Sequence, residues 1–162
     1  MEQLGRYLAE YKKQMEKGDI AKAYQGIMGY VMDLRAYLSG QYPDFSVPAN
    51  IYFGYLDMTY FSFTPPELKK RKLKIALVFV HGKFKWEIWL SGVNRQVQAE
   101  YARLFRERGW KRYPVSPAGK GVDSIIEATL VEEPDFDDPN ALTAAIETGA
   151  LRFIGEIQNF LG

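Results

Sequence analysis

The chain has 162 residues, of which 47% are hydrophobic and 25% are charged, a balance typical of a folded domain and not of a disordered segment. Its 21 basic and 20 acidic side chains leave a net charge of +1, which argues against a surface dedicated to nucleic acid or anionic lipid. With no cysteine and one histidine, disulfides, thiolate chemistry and histidine-rich metal sites are excluded. We therefore predict one domain over residues 1–162, with no cofactor and no metal.

The first two predicted elements are helices. Apolar residues recur at helical spacing between positions 4 and 15, and again between positions 20 and 38. Gly18 can end the first helix, and Asp19 can cap the second. Because only this turn separates them, we predict that the two helices form an αα-hairpin.

A β-prone aromatic segment covers residues 51–63, and Gly54 indicates a turn or bulge within it. Thr64 and Pro65 then favour a short helix that leads into the basic run 69–72. This basic run could contact phosphates, but a solvated helix surface is the interpretation we favour.

The strongest pattern is a predicted β-hairpin formed by residues 73–80 and 84–90, with a short glycine-containing turn between them. Its second strand alternates, so that one side is apolar and the other mixes charges with one large ring. The apolar set is Phe84, Trp86, Ile88 and Leu90, and the mixed set is Lys85, Glu87, Trp89 and Ser91. We predict that the apolar side is core and that the mixed side carries the function.

Downstream, Asn94 can cap a helix that ends at Gly109, and residues 110–115 and 124–131 favour strands. An acidic loop follows, and Asp138 with Pro139 can open a long final helix. The predicted fold class is therefore α+β, in the order α-α-β-β-β-α-β-β-α. We expect a mainly antiparallel sheet with helices packed on it.

Catalytic signatures offer little support for an enzyme. The sequence has no phosphate-binding glycine loop, no nucleophile elbow and no helical zinc motif. A Ser–His–Asp triad would depend on His81, which we expect at an exposed hairpin tip that cannot hold an imidazole in place. A plain turn residue is the favoured interpretation of this histidine.

Charged residues on three predicted strands are a further candidate site. Asp57 and Glu87, with Lys74 and Lys85 nearby, could meet on one face of the sheet. Carboxylates grouped in this way can hold a divalent metal that activates water. The competing interpretation, which we favour, is cross-strand pairing on a solvated surface. A metal-dependent hydrolase or nuclease relative using Asp57 and Glu87 is therefore the alternative hypothesis.

Aromatic rings provide the leading hypothesis, a non-catalytic domain that binds a small molecule or a protein partner. We assign Phe53, Trp86 and Tyr60 to the core, whereas Tyr52, Tyr55 and Trp89 fit a core or a binding surface equally well. Trp89 is the most suggestive because it lies among charges. An exposed aromatic face could equally form a homodimer contact. The candidate ligand-binding residues are Tyr55, Asp57, Lys74, Glu87, Trp89 and Arg95.

Membrane and secretion signals are absent from the sequence. No apolar run approaches the roughly 20 residues of a membrane span, and the first residues lack the layout of a secretory signal. We therefore predict a cytoplasmic protein with no membrane partner.

Two resemblances accompany these patterns. The element order over residues 20–115 resembles the core of the restriction-endonuclease-like fold, whose motif places an Asp near the second core strand and Glu-x-Lys on the third. Here those stretches read Lys72-Leu-Lys74 and Glu87-Ile-Trp89, so that the Asp and the Lys are missing. The amino-acid sequence of four segments is similar to that of small bacterial proteins of an uncharacterised family. These segments are residues 55–63, 74–79, 86–90 and 121–124. This second resemblance spans nearly the whole chain and implies a bacterial cytosolic protein of unknown function.

Overall fold

The fold is known from a computed structural model, which describes residues 3–117 and 123–162. These residues form five helices and four strands. In chain order they are α1 (Leu4–Lys17), α2 (Asp19–Gln41), β1 (Met58–Ser62), α3 (Pro66–Lys70), β2 (Leu73–Val80), β3 (Lys85–Gly92), α4 (Arg95–Glu107), β4 (Ile126–Val131) and α5 (Pro139–Leu161).

The four strands form one antiparallel sheet in the order β1-β2-β3-β4. The predicted α+β class and antiparallel sheet are therefore confirmed. Val115 contributes an isolated bridge to Ile126 where a further strand over residues 110–115 was predicted. If this bridge is counted as a strand and the short helix α3 is left out, the order of helices and strands is the predicted α-α-β-β-β-α-β-β-α.

One side of the sheet, which we call the packed face, lies against the helices. Its residues share one hydrophobic cluster with buried residues of α2, α4 and α5. Fully burying a large apolar side chain contributes about 1.5–3 kcal/mol, so this layer accounts for much of the stability. The packed face consists of Phe61, Leu73, Ile75, Leu77, Phe79, Trp86, Ile88, Leu90 and Ile126.

The other side of the same strands, which we call the open face, is half-exposed over much of its area. The predicted two-sided hairpin is thus present, with Trp86 buried and Trp89 on the opposite side. The open face consists of Met58, Tyr60, Ser62, Lys74, Ala76, Val78, Val80, Lys85, Glu87, Trp89, Ser91, Glu127 and Thr129.

Three rings that the sequence assigned to the core or to the apolar side of the hairpin lie elsewhere. Phe53 was predicted to be core, but it is 42% exposed in the segment before β1. Phe84 lies in the turn before β3 with a positive φ of 50°, so the strand alternation does not extend to it. Tyr60, also assigned to the core, lies half-exposed on the open face.

The helix pair α1–α2 has the predicted turn, in which Gly18 adopts a left-handed conformation with φ 88°. Its amide donates to the carbonyl of Gln14 and closes α1. None of the residues of α1 is buried, however, so its apolar stripe is not packed into an αα-hairpin. Within the described residues, no helix has the length and apolar content needed to cross a membrane.

Candidate functional site: a cleft on the open face

A cleft of about 340 Å³ lies on the open face, over β1, β2 and β3. Two of the candidate ligand-binding residues, Lys74 and Trp89, line it. Tyr52, which the sequence left open between core and binding surface, lines it as well, together with further neighbours. The described residues that line the cleft are Tyr52, Met58, Tyr60, Ser62, Lys74, Ala76, Trp89, Ser91, Gly92 and Asp123.

The strand register places the rings of Trp89 and Tyr60 on either side of the small residue Ala76, which forms the floor of the cleft. Ala76 pairs with Ser62 of β1 and with Trp89 of β3, so its methyl group lies between two strands with larger side chains. Tyr60 is the next β1 residue on the same face, and its partner Val78 is buried. The cleft therefore has an indole on one side, a phenol on the other and an alanine below.

Tyr52 extends the phenol side of the cleft. Its backbone forms a two-hydrogen-bond bridge with Tyr60, each bond 2.9 Å long, and its ring lies 5.0 Å from the Tyr60 ring. The pKa of the Tyr52 hydroxyl is raised, mainly by the negative charge of Asp57 and to a smaller extent by partial burial. This group therefore stays protonated in the neutral range.

Glu87 holds the Trp89 indole in place. The indole Nε1–H donates a 2.8 Å hydrogen bond to Glu87 Oε1. Glu87 is only 4% exposed, and its other oxygen lies 3.3 Å from Lys85 Nζ and 3.8 Å from Lys83 Nζ. Because these partners occupy the carboxylate, Glu87 positions the tryptophan and does not offer a free carboxylate to the cleft.

The polar end of the cleft is formed by Lys74, Ser91 and Asp123. Lys74 pairs with Ser91 across the hairpin, and the Ser91 hydroxyl donates to the Asp123 carbonyl at 2.7 Å. Lys74 is exposed, and among the described residues it forms no salt bridge. Its ammonium group can therefore meet an anionic substituent of a molecule in the cleft.

Asp57 belongs to the loop that leads into β1. Its carboxylate accepts a 2.9 Å hydrogen bond from the Tyr55 amide. Hydrogen bonds from the backbone amides of Met58 and Tyr55 hold the pKa of Asp57 below its usual value. Gly54 has φ 70°, and a Cβ there would collide with the Met58 carbonyl oxygen and the Asp57 carboxylate. The carboxylate therefore stabilises a tight loop.

Asp57 and Glu87, the two carboxylates that the metal hypothesis requires, lie far apart in the sheet. The backbone amide of His81 donates to the carbonyl of Asp57, whereas Glu87 pairs with Val78, three residues further along β2. At about 3.4 Å per residue and 4.8 Å per strand, the two positions are separated by more than 10 Å. Among the described residues, no three histidine or acidic side chains are grouped to hold a metal.

The remaining candidates lie outside the cleft. Tyr55 is 93% exposed in the loop before β1, and it is not among the described lining residues. Arg95 begins α4, after the Asn94 cap, and it is exposed and likewise not among them. The sequence signal that could have indicated the floor is Ala76, the one small side chain in an otherwise large apolar strand.

His81 is held firmly, in contrast to the exposed tip that was predicted. Its Nε2 lies 2.9 Å from the Thr59 hydroxyl, which donates its own proton to the Phe53 carbonyl at 3.1 Å. Both contacts of the Thr59 hydroxyl are satisfied together in the tautomer that carries its hydrogen on Nε2. The imidazole also stacks on Tyr24, with ring centroids 6.0 Å apart. Burial lowers the pKa of His81, while the charge of Asp57 opposes this shift.

Comparison with known proteins gives a family that carries no assigned activity. The domain of unknown function DUF7000 matches residues 4–161. The chain belongs to the DUF7000 family. No curated protein and no solved structure matches it. Membership in DUF7000 assigns no activity to the chain, so the cleft is the basis for a function.

Proposed function

We propose that this DUF7000 domain is a non-catalytic binding domain whose open-face cleft takes a planar aromatic group. The observation that carries the proposal is the Trp89 indole, held by Glu87 and separated from Tyr60 by the small floor residue Ala76. Such rings provide a large contact area at a small cost in conformational entropy.

The spacing of the strands supports a stacked ligand. Trp89 and Tyr60 lie two strands and two register positions apart. At about 4.8 Å per strand and 3.4 Å per residue, their side chains rise from points about 12 Å from each other. Aromatic pairs favour centroid distances of about 4.5–7 Å. A planar ring midway between them, beside Ala76, would thus lie about 6 Å from both Trp89 and Tyr60, within this range. Each aromatic contact contributes about 0.5–1.5 kcal/mol beyond the burial of area.

The polar groups support binding more than catalysis. Lys74 is available for an anionic substituent, and the hydroxyl of Ser91 is already bonded to the Asp123 carbonyl. His81 is engaged by Thr59 at the end of the hairpin and is not among the described residues that line the cleft. We therefore favour a planar aromatic ligand whose anionic substituent meets Lys74, at an end of the cleft that also carries the carboxylate of Asp123.

We assign the domain to the cytoplasm as part of the same proposal. The chain contains no cysteine, so its fold does not depend on an oxidising compartment.

The first test compares two probes that differ in planarity. Titration with 2-naphthoate, followed by the fluorescence of the tryptophans and by two-dimensional NMR, should show saturable shifts at residues around Trp89. Decahydronaphthalene-2-carboxylate carries the same charge and the same ten-carbon skeleton without the planar rings, and it should bind at least tenfold more weakly. Equal binding of both probes, or shifts remote from the cleft, would contradict the proposal.

The second test fills the floor of the cleft. Ala76→Leu would place a larger side chain between Trp89 and Tyr60, so we expect binding of 2-naphthoate to fall at least tenfold. Val80→Leu is the matched control, because it adds one methylene to the same face of β2, and Val80 is not among the described residues that line the cleft. Unchanged binding by Ala76→Leu would contradict the assignment of the site.

A further inference from the structure

Helix α1 carries an apolar stripe that the described structure leaves about half-exposed. All 14 of its residues lie outside the core, and the large apolar side chains of the stripe are between 39% and 61% exposed. The stripe consists of Leu4, Tyr7, Leu8, Tyr11 and Met15.

A helix of this kind needs a partner for its own stability. Isolated helices shorter than about 12–15 residues are marginal in water, and most helices gain their stability by packing an amphipathic face. Gly18, in the left-handed conformation, ends α1, and the turn to α2 leaves the stripe half-exposed. The stripe is therefore expected to pack against a surface that lies outside this copy of residues 3–117 and 123–162.

We propose that the partner is the same helix of a second copy, packed antiparallel. Four residues of the stripe, Leu4, Leu8, Tyr11 and Met15, have spacings of four, three and four, the a/d pattern of a coiled coil. This pattern reads the same in both directions. In an antiparallel pair, Leu8 therefore lies opposite the partner's Tyr11, and Leu4 lies opposite the partner's Met15.

The residues that flank the stripe are compatible with this pairing. In the antiparallel register, Lys12 lies opposite the partner's Gly5, and Tyr7 lies opposite the partner's Gln14, so no like charges meet. Arg6 and Lys13 occupy the outer side of the helix. Antiparallel helices also place opposite dipole ends together.

The parallel arrangement is disfavoured by the attachment of α1 to the rest of the chain. Each α1 is about 21 Å long and joins α2 at its C-terminal end. A parallel pair would place the remainder of both chains, with its sheet and helices, at the same end of the helix pair. An antiparallel pair places them at opposite ends.

The area available indicates a reversible dimer. With about half of each of five large side chains exposed, two stripes can bury on the order of 1,000 Å² in total, the lower limit for a specific interface. The dimer should therefore form and dissociate with concentration. This inference is independent of the proposed cleft, which uses other residues.

Sedimentation velocity of the full chain tests the association. We expect a concentration-dependent shift from monomer to dimer between about 1 and 300 µM. In Leu8→Glu we expect association at least tenfold weaker, because a charge enters the centre of the stripe. Lys13→Glu, on the outer side of α1, is the control and should dimerise as the natural sequence does. A monomer throughout this range, or a dimer undisturbed by Leu8→Glu, would overturn the proposal.

Engineered cysteines test the antiparallel register, since the natural chain has none. Protein with Leu4→Cys is mixed with protein carrying Met15→Cys, and disulfide formation is followed by mass spectrometry. We expect the mixed disulfide to form at least fivefold faster than either homodimer. Faster Leu4→Cys homodimers would indicate parallel pairing and would overturn the proposal.

A vesicle experiment separates the second copy from a lipid surface. Natural protein is sedimented with vesicles of equal parts phosphatidylserine and phosphatidylcholine at 5 µM protein. We expect the protein to remain in the supernatant. Binding to the vesicles that Leu8→Glu abolishes and Lys13→Glu leaves intact would assign the stripe to membrane and overturn the proposal.

Discussion

The packed face and the open face of the sheet follow the same alternation of residues but differ in what lies against them. Phe79, on the packed face, contacts the rings of Trp86, Phe84 and Phe136. Trp89, two strands from Tyr60 on the open face, borders a cleft and depends on one buried carboxylate for its orientation.

This difference shows how one strand can provide both stability and a candidate binding surface. On the packed face, apolar side chains are surrounded by helices, so their loss leaves cavities. On the open face, the side chains are fixed by hydrogen bonds and ion pairs within the sheet, so they remain accessible and yet ordered. Loss of a side chain should therefore cost more stability on the packed face than on the open face.

Removing a ring from each face should give unequal losses of stability. Phe79→Ala leaves a cavity among buried rings, and we expect it to lower the free energy of unfolding by about 3–5 kcal/mol. Tyr60→Ala removes a half-exposed ring and a cross-strand contact, so we expect a loss of about 1 kcal/mol. Urea unfolding followed by circular dichroism measures both. Similar losses would mean that the two faces are equally packed.

Glu87 is expected to be the most important polar residue of the open face. Glu87→Ala leaves the Trp89 Nε1–H without its acceptor and removes the partner of Lys85, so we expect a loss of about 1–3 kcal/mol. Glu87→Gln keeps an oxygen for the indole and should cost less. Urea unfolding gives the free energies, and near-ultraviolet circular dichroism reports the order of the indole. An unchanged spectrum in Glu87→Ala would show that Trp89 is held by other contacts.

His81 should make the stability depend on pH in one direction. Its pKa in the folded protein lies below the usual 6.5 because the ring is partly buried. Below pH 6.5, the unfolded chain therefore binds a proton before the folded protein does, and the free energy of unfolding decreases until the lowered pKa is passed. Above pH 6.5 this contribution is constant.

Thermal unfolding between pH 8 and pH 5 checks this sign by comparison with His81→Gln, which cannot titrate. We expect the difference in Tm between the natural protein and His81→Gln to change as the pH falls below 6.5, with the natural protein losing stability. A natural protein that gains stability relative to the variant would contradict the burial of the imidazole.

The smallest expected effect distinguishes the two lysines that contact Glu87. Lys83 is exposed and lies 3.8 Å from the carboxylate, whereas Lys85 is largely buried and lies 3.3 Å away. We expect Lys83→Ala to change the free energy of unfolding by less than about 1 kcal/mol, and Lys85→Ala to cost more. Urea unfolding in 0.05 and 0.5 M salt measures both. A larger loss for Lys83→Ala would contradict this geometry.

Much of the fold could be predicted because it depends on local patterns. The hairpin and the burial of Trp86 follow from alternation, and the caps at Asn94 and Asp138 follow from the preference of these side chains for helix starts. Residues 110–115 were harder to predict, because a strand requires a partner along its length. Only Val115 has one among the described residues.

The candidate site was only partly predictable because it depends on register. Sequence alternation places Trp89 and Lys74 on one face, but it does not give the alignment that separates Asp57 from Glu87. The environment of His81 likewise depends on Tyr24, which is brought to it from α2 by the tertiary fold.

The accessibility of the three tryptophans shows whether the open face around Trp89 is uncovered. The protein can be labelled with 5-fluorotryptophan, and Trp89→Phe identifies the resonance of Trp89 in the fluorine NMR spectrum. A soluble gadolinium chelate should broaden that resonance strongly while leaving those of the buried Trp86 and Trp110 much sharper. Equal protection of all three resonances would mean that the open face is covered, and it would contradict an accessible cleft beside Trp89.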